Sequence, residues 1–350
     1  VSSMAATGVS PSETSTFDFT RVAAATSPGT CRAASLWVSG GSIAYSNSGQ
    51  REVKRFTPMR RASILRAAFG VARAAAGGGG PAKSREARIE DVLSRTEDVT
   101  ILVTDSGLGG LSVAADVAAR LPESGVFRKA RIVFYNALFH NTGYNGLASE
   151  AEKDRIFDVV LRAMHKRYHP DILLIACNTL SVVYDRTPFS RKAPFPAVGI
   201  VETGVDLIAR QFEKSPGATA IIFGTKTTIE SEAHKKALVA RGFPAGQIVG
   251  QACHKLAGAI ERGTASEETV GYIRKFVDEA LAKTGGAAGP FFGSFNCTHF
   301  GYTRQQFADA FAAAGYPGIE LLDPNPLMAD FMFKTPYLHR YPQTEVTVEV

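Results

Sequence analysis

From residue 98 onward the chain alternates short apolar runs with amphipathic segments of helical period, and few architectures accept that alternation. The apolar runs are Ile101 to Val103, Ile132 to Tyr135, Ile172 to Ala176, Ala197 to Val201, Ala218 to Phe223, Gln247 to Ala252, Phe291 to Phe295 and Ile319 to Leu322. Helical patterns separate most of them, among them Leu111 to Leu121, Glu150 to Tyr168, Thr203 to Phe212, Ser231 to Arg241, Glu267 to Ala282 and Arg304 to Ala314. The expectation is an α/β fold: mainly parallel sheet with helices on its faces. Ligands of such sheets sit beyond the carboxyl ends of strands, so those ends are where chemistry belongs.

The first hundred residues read differently. Residues 1 to about 58 are rich in Ser, Thr, Ala and Gly without hydrophobic periodicity, and are expected to lack order. Residues 59 to 76 would as a helix place Ile64, Leu65 and Phe69 opposite Arg66 and Arg73, a pattern shared with organelle transit peptides; an extension without a role fits equally. Gly77 to Gly80 and Pro81 read as a linker. Residues 1 to 85 hold 11 Lys or Arg against 3 Asp or Glu, so the net charge of +6 sits there and the body is slightly acidic. That distribution argues against a nucleic-acid partner. No run of 18 uncharged apolar residues exists, so no membrane span is expected. Four cysteines at 31, 177, 253 and 297 are too scattered for a disulfide framework, which favours a reducing, cytoplasmic compartment, or an organelle if the leader is an address.

Three strand ends carry small and nucleophilic residues. Asp105-Ser106-Gly107-Leu108-Gly109-Gly110 could let backbone approach a ligand, although such Gly-rich turns often only turn the chain. Ala176-Cys177-Asn178-Thr179 places a thiol where a helix begins, a position that favours the thiolate. Most lone cysteines are small core residues, yet the polar Asn178 and Thr179 argue against that for Cys177. Asn296-Cys297-Thr298-His299 ends a later strand, and the two Cys-Thr turns look like counterparts in two related lobes, one thiol on either side of a cleft.

Two opposed thiols suit racemisation at an α-carbon, where one group removes a proton from one face and the other supplies one to the opposite face. The rival chemistry is a tetrahedral zinc shell drawn from Cys177, Cys253, Cys297, His254 and His299, which would make the chain a binding module. Cys253 and His254 otherwise read as structural, and the cations at His165, Lys166, Arg167 and His169 as a solvated helix end. The turn after Gly224 lacks the lysine spacing of a phosphate loop.

These segments together resemble the glutamate racemases, and Gly199-Ile200-Val201-Glu202 and Gly224-Thr225-Lys226-Thr227-Thr228 with Ser231 resemble further family segments, in the family's order, over about residues 98 to 340. The resemblance implies two pseudo-symmetric lobes, residues 98–200 plus 321–345 and residues 201–320, after a leader at 1–97. It implies no cofactor and no metal, with Cys177 and Cys297 as the acid and base pair. Asp105 and Ser106 would hold the substrate amino group, His299 would assist Cys297, Glu202 would sit close by as a catalytic carboxylate, and Asn178, Thr179 and Thr298 would bind carboxylates. Thr228 could line the cleft, and Tyr144-Asn145-Gly146 stand for the family's Pro-Tyr-Gly element. We expect a homodimer acting on a small-molecule amino acid, with cell-wall precursor supply as the implied role. Phe295-Asn296 and Phe300-Gly301 depart from the family's pattern around the pocket, so racemisation of aspartate or another small acid, or an isomerase or decarboxylase reaction of a related small diacid, remains an alternative; aspartate racemases carry Glu where His299 stands.

Overall fold

The computed structural model describes residues 83–137, 143–285 and 290–350, together with the backbone of two short strands, β1 (Ser35–Ser39) and β2 (Ser42–Ser46). Those strands pair antiparallel inside the stretch expected to lack order. The remainder of the leader, with the Arg-rich segment and the Gly-rich linker, lies outside the described residues.

Two sheets carry the fold. The first contains β3 (Asp98–Asp105), β4 (Lys129–Asn136), β5 (Ile172–Ile175) and β6 (Ala197–Gly199), all parallel. The second contains β7 (Thr219–Gly224), β8 (Ile248–Ala252), β9 (Phe291–Asn296) and β10 (Glu320–Leu322), also parallel, in the order β10-β9-β7-β8. The last strand, β11 (Glu345–Glu349), returns to the first sheet and pairs parallel with β4 and antiparallel with β2.

The strands read as continuous apolar runs because both faces of each sheet are covered. In β3, Ile101 and Val103 enter one core while Leu102 enters the core on the opposite face, as the period of two dictates. The second sheet is covered in the same way: Ile221 and Phe223 face one cluster, Ala220 and Ile222 the other. Helices supply the covers: α1 (Arg85–Arg95), α2 (Leu111–Ser124), α3 (Glu150–Tyr168), α4 (Asn178–Tyr184), α5 (Ile200–Lys214), α6 (Lys226–Glu230), α7 (Ala233–Ala240), α8 (Leu256–Arg262), α9 (Glu267–Lys283) and α10 (Arg304–Ala313). Their starts are chemically marked: Ser84, Ser149, Thr225 and Ser266 each accept a hydrogen bond from a backbone N–H of the first turn.

The chain passes from the first sheet to the second at Gly199 and comes back after Leu322. Because Leu321 and Leu322 pair with β9, the return begins at Asp323, two residues later than the sequence suggested. Met328, Ala329 and Met332 then pack into the first core. Among the described residues no helix is long and apolar enough to cross a membrane.

Candidate active site

A cleft of about 520 Å³ opens between the carboxyl ends of the two sheets. Its floor is the turn after β3. Gly107 and Gly109 let that turn touch the second lobe: a Cβ on Gly107 would stand 2.8 Å from Glu261 Oε1, and one on Gly109 2.7 Å from His299 Nδ1. The Gly-rich turn is therefore built for contact between lobes.

Cys177 follows β5 and Cys297 follows β9; both line the cleft and are about 6% exposed. Ser106 Oγ lies 3.1 Å from the sulfur of Cys177. Asp105 is buried at the base, accepting from Gly107 N at 3.1 Å and from Thr298 Oγ1 at 2.8 Å. Burial raises the Asp105 carboxyl above its ordinary range, against the lowering effect of His299 and these donors. The sequence suggested that the helix start would lower the Cys177 thiol. Instead, burial first and the Asp105 carboxylate second push it up to about 12, outweighing the Ser106 contact.

Beside Cys297, His299 Nδ1 lies 3.7 Å from the sulfur and Nε2 lies 2.7 Å from Glu261 Oε1. Glu261 also accepts from Leu108 N at 3.0 Å, joining the second lobe to the first. Burial opposes the imidazolium, but Cys297, Glu261 and Asp105 outweigh it and push His299 up to about 10. The His299 hydrogen bond holds the Glu261 carboxyl below its usual range despite partial burial.

Other polar groups in the cleft have no protein partner. Both side-chain atoms of Asn178 and the hydroxyl of Tyr144 are buried without a hydrogen bond, although each residue is only 1% exposed. An orphaned buried polar group costs about 1–3 kcal/mol, so such groups mark where a ligand's polar atoms belong. Asn145, Gly146, Thr179 and Thr298 line the same space.

Two expected residues stand elsewhere. Glu202, at the start of α5, is half exposed and ion-paired with Arg85 at 2.7 Å, because the first turn of α5 faces α1. Thr228 sits behind the wall, bonded to Thr225 Oγ1 at 3.0 Å while Thr179 meets Thr225 at 2.8 Å. The carboxylate that meets His299 at the cleft is Glu261, on the last turn of α8, for which the sequence offered no spacing signal. Cys253, His254, Lys255 and Arg262 also line the cleft. Among the described residues no three His, Cys, Asp or Glu side chains converge as a metal site, so the zinc reading of Cys177, Cys253, Cys297, His254 and His299 lacks a ligand set.

Comparison with known proteins agrees with this geometry. A family model described as Asp/Glu/Hydantoin racemase matches residues 108–332. The chain is 29% identical over 143 residues to the glutamate racemase of Campylobacter jejuni, a match spanning 40% of this chain and 52% of that relative. It is 30% identical over 240 residues to that of Herpetosiphon aurantiacus, covering 65% of this chain and 80% of the relative. Its fold is similar to the crystal structure of glutamate racemase from Francisella tularensis in complex with D-glutamate, at a TM-score of 0.55 and 18% identity, over 71% of this chain and 86% of that one. It is likewise similar to the structure of glutamate racemase from Campylobacter jejuni, at a TM-score of 0.54 and 20% identity, over 72% and 92% of the two chains. With the family model spanning well over half the chain and a thiol on each lobe of the cleft, this protein belongs to the Asp/Glu/hydantoin racemase family.

Proposed function

We propose that this protein interconverts L- and D-glutamate by moving protons at the α-carbon between the sulfurs of Cys177 and Cys297. The observation that carries the reading is their placement: two thiols from the ends of two separate parallel sheets share one cleft with the unpartnered Asn178 amide and Tyr144 hydroxyl. A dicarboxylic amino acid fits those groups. One carboxylate accepts from Asn178 Nδ2, the ammonium donates to Asn178 Oδ1 or to Asp105, and the distal carboxylate accepts from Tyr144.

In the forward step the α C–H bond breaks and an S–H bond forms at one sulfur; the S–H bond of the other thiol then breaks as a new C–H bond forms on the opposite face. The negative charge that develops beside the α-carboxylate is offset by donors fixed before the reaction starts, in a site that buries both sulfurs. Enantiomers have equal free energy, so kcat/KM is the same in both directions whatever the resting protonation of the two sulfurs.

The cationic residues Lys226, Lys255 and Arg262 along the cleft support a second reading, in which another small diacid undergoes the same chemistry. Purified protein incubated with L- or D-glutamate in heavy water should place deuterium on the α-carbon and erase optical activity. Absence of both rejects the proposal, while activity confined to aspartate or another diacid selects the second reading.

A further inference from the structure

Below the thiols the lobes are joined by a knot of hydrogen bonds that proton transfer itself does not use. Ser112 Oγ donates to Gly109 O at 3.1 Å, and Tyr302 OH donates to the same carbonyl at 3.2 Å. Asn325 completes the knot. Its Nδ2 donates to Ser112 Oγ at 3.1 Å and to Thr298 O at 3.0 Å, which occupies both N–H bonds of the amide. Its own backbone N–H donates to Asp323 Oδ1 at 3.0 Å, fixing the turn that presents the side chain.

The three partners belong to three different parts of the molecule. Ser112 starts α2 in the first lobe, Thr298 follows Cys297 in the second, and Asn325, 5% exposed, lies on the segment by which the chain returns from one to the other. Thr298 also donates from Oγ1 to Asp105, so the residue that Asn325 grips on one side grips the cleft floor on the other. A small cavity of about 50 Å³ lined by Ser112, Asp116, Tyr302 and Asp323 adjoins the amide, leaving room for the seam to relax if the amide is removed.

We propose that Asn325 is a positioning residue: its amide clamps the Cys297 turn to the first lobe and thereby fixes the separation of the two sulfurs across the substrate. The inference rests on the racemase reading above. Two-sided proton transfer is sensitive to that separation, since a misplacement of about 1 Å can cost roughly a hundredfold in rate. A merely structural residue would reduce the amount of active enzyme; a positioning residue changes what the active enzyme does. After a proton is removed, the carbanion either takes one from the opposite thiol, which inverts it, or is reprotonated from the same side, which does not and which labels the substrate once the new S–H has exchanged with heavy water. A looser seam favours return.

The test follows inversion and α-deuterium together, starting from a single enantiomer in heavy water, for the full chain and for Asn325→Ala and Ser112→Ala. Asn325→Ala should slow inversion by roughly 10- to 100-fold with KM changed by less than about threefold. The ratio of deuterated recovered substrate to inverted product should rise by at least about fivefold, with Ser112→Ala moving it the same way by less. An unchanged ratio in both variants overturns the clamp, whether or not the rate falls in step with the folded fraction on thermal melting. If Asn325→Ala does not fold, the ratio in Ser112→Ala decides alone. Failure of the unaltered protein to exchange or invert glutamate and other small diacids would instead reject the racemase reading.

Discussion

The two cysteines occupy equivalent places in the two lobes and are equally buried, yet their neighbours differ in sign. Cys177 faces the Ser106 hydroxyl, and burial first and the nearby Asp105 carboxylate second push its thiol up to about 12 against the lowering effect of that hydroxyl. Cys297 faces a histidine held at its far nitrogen by Glu261, and that ring is pushed up to about 10. With both ring nitrogens protonated, His299 donates to the sulfur of Cys297 and to Glu261 at once. One sulfur thus lies beside a carboxylate and the other beside a cation. The repeated strand-end geometry creates two positions, and local charge gives them different surroundings.

The largest effect should come from breaking the pair itself. Cys177→Ser and Cys297→Ser should each lower kcat/KM at least about a thousandfold, since a serine hydroxyl is too weak an acid to replace a thiol in either role. The surviving thiol can still remove the proton that faces it. Each variant should therefore exchange the α-hydrogen of one enantiomer only, and the favoured enantiomer should be opposite in the two variants. If NMR in heavy water shows both variants exchanging the same enantiomer, the sulfurs do not address opposite faces.

A smaller change sharpens the contrast between the two surroundings. Glu261→Gln removes a carboxylate from the far side of His299, and kcat/KM should fall by roughly a hundredfold. It should also move the alkaline limb of the pH–rate profile toward acid by about one pH unit, because the imidazolium loses a partner that raises it. Linkage adds a stability signature. His299 is raised from 6.5 to about 10, so its contribution is full below pH 6.5 and is lost as pH rises through 10. Thermal melting between pH 7 and 10 should therefore show a steeper decline for the unaltered protein than for Glu261→Gln. Parallel curves would mean that the pair does not set the charge of His299.

How much of this was legible follows from what each element buries. All eight apolar runs became strands because parallel strands covered on both faces must be apolar throughout, and β3 shows this residue by residue. By contrast β11, with the sequence Glu-Val-Thr-Val-Glu, alternates polar and apolar residues and is at most half-buried, so it gave no such run. Helix α1 precedes the first strand, buries Leu93 and packs Ile89 and Val92 half-buried against the first core, and lay ahead of the residue-98 start of the alternating pattern. At the cleft, most residues named from motifs line the wall, Glu202 and Thr228 do not, and residues outside motifs were missed. Glu202 lay in a family-like segment but points to Arg85, whereas Glu261 sits on a seven-residue helix and meets His299 only through folding. The charge of the two sites was also unreadable, because the start of α4 suggested a lowered thiol where burial dominates.

The smallest effect tests whether the comparison needs a third member. Cys253 lines the cleft and belongs to the same apolar cluster as Cys297. Burial pushes its thiol well above the ordinary range, and its sulfur donates to Gln251 O at 3.7 Å, which leaves it a neutral packed side chain. In the second sheet β7 stands between the strands that end at Cys253 and Cys297, and strands lie about 4.8 Å apart, which puts the two Cα atoms roughly 10 Å apart. That exceeds the reach of a disulfide. Cys253→Ala should therefore leave kcat/KM within about twofold while lowering stability by about 1 kcal/mol through the small void it leaves. Mild oxidation should not join Cys253 to Cys297 in the folded protein, as peptide mapping would read. A tenfold loss of activity in Cys253→Ala, or a recovered Cys253–Cys297 cross-link, would mean that the second lobe brings two sulfurs to the cleft, and the comparison of one sulfur per lobe would have to be redrawn.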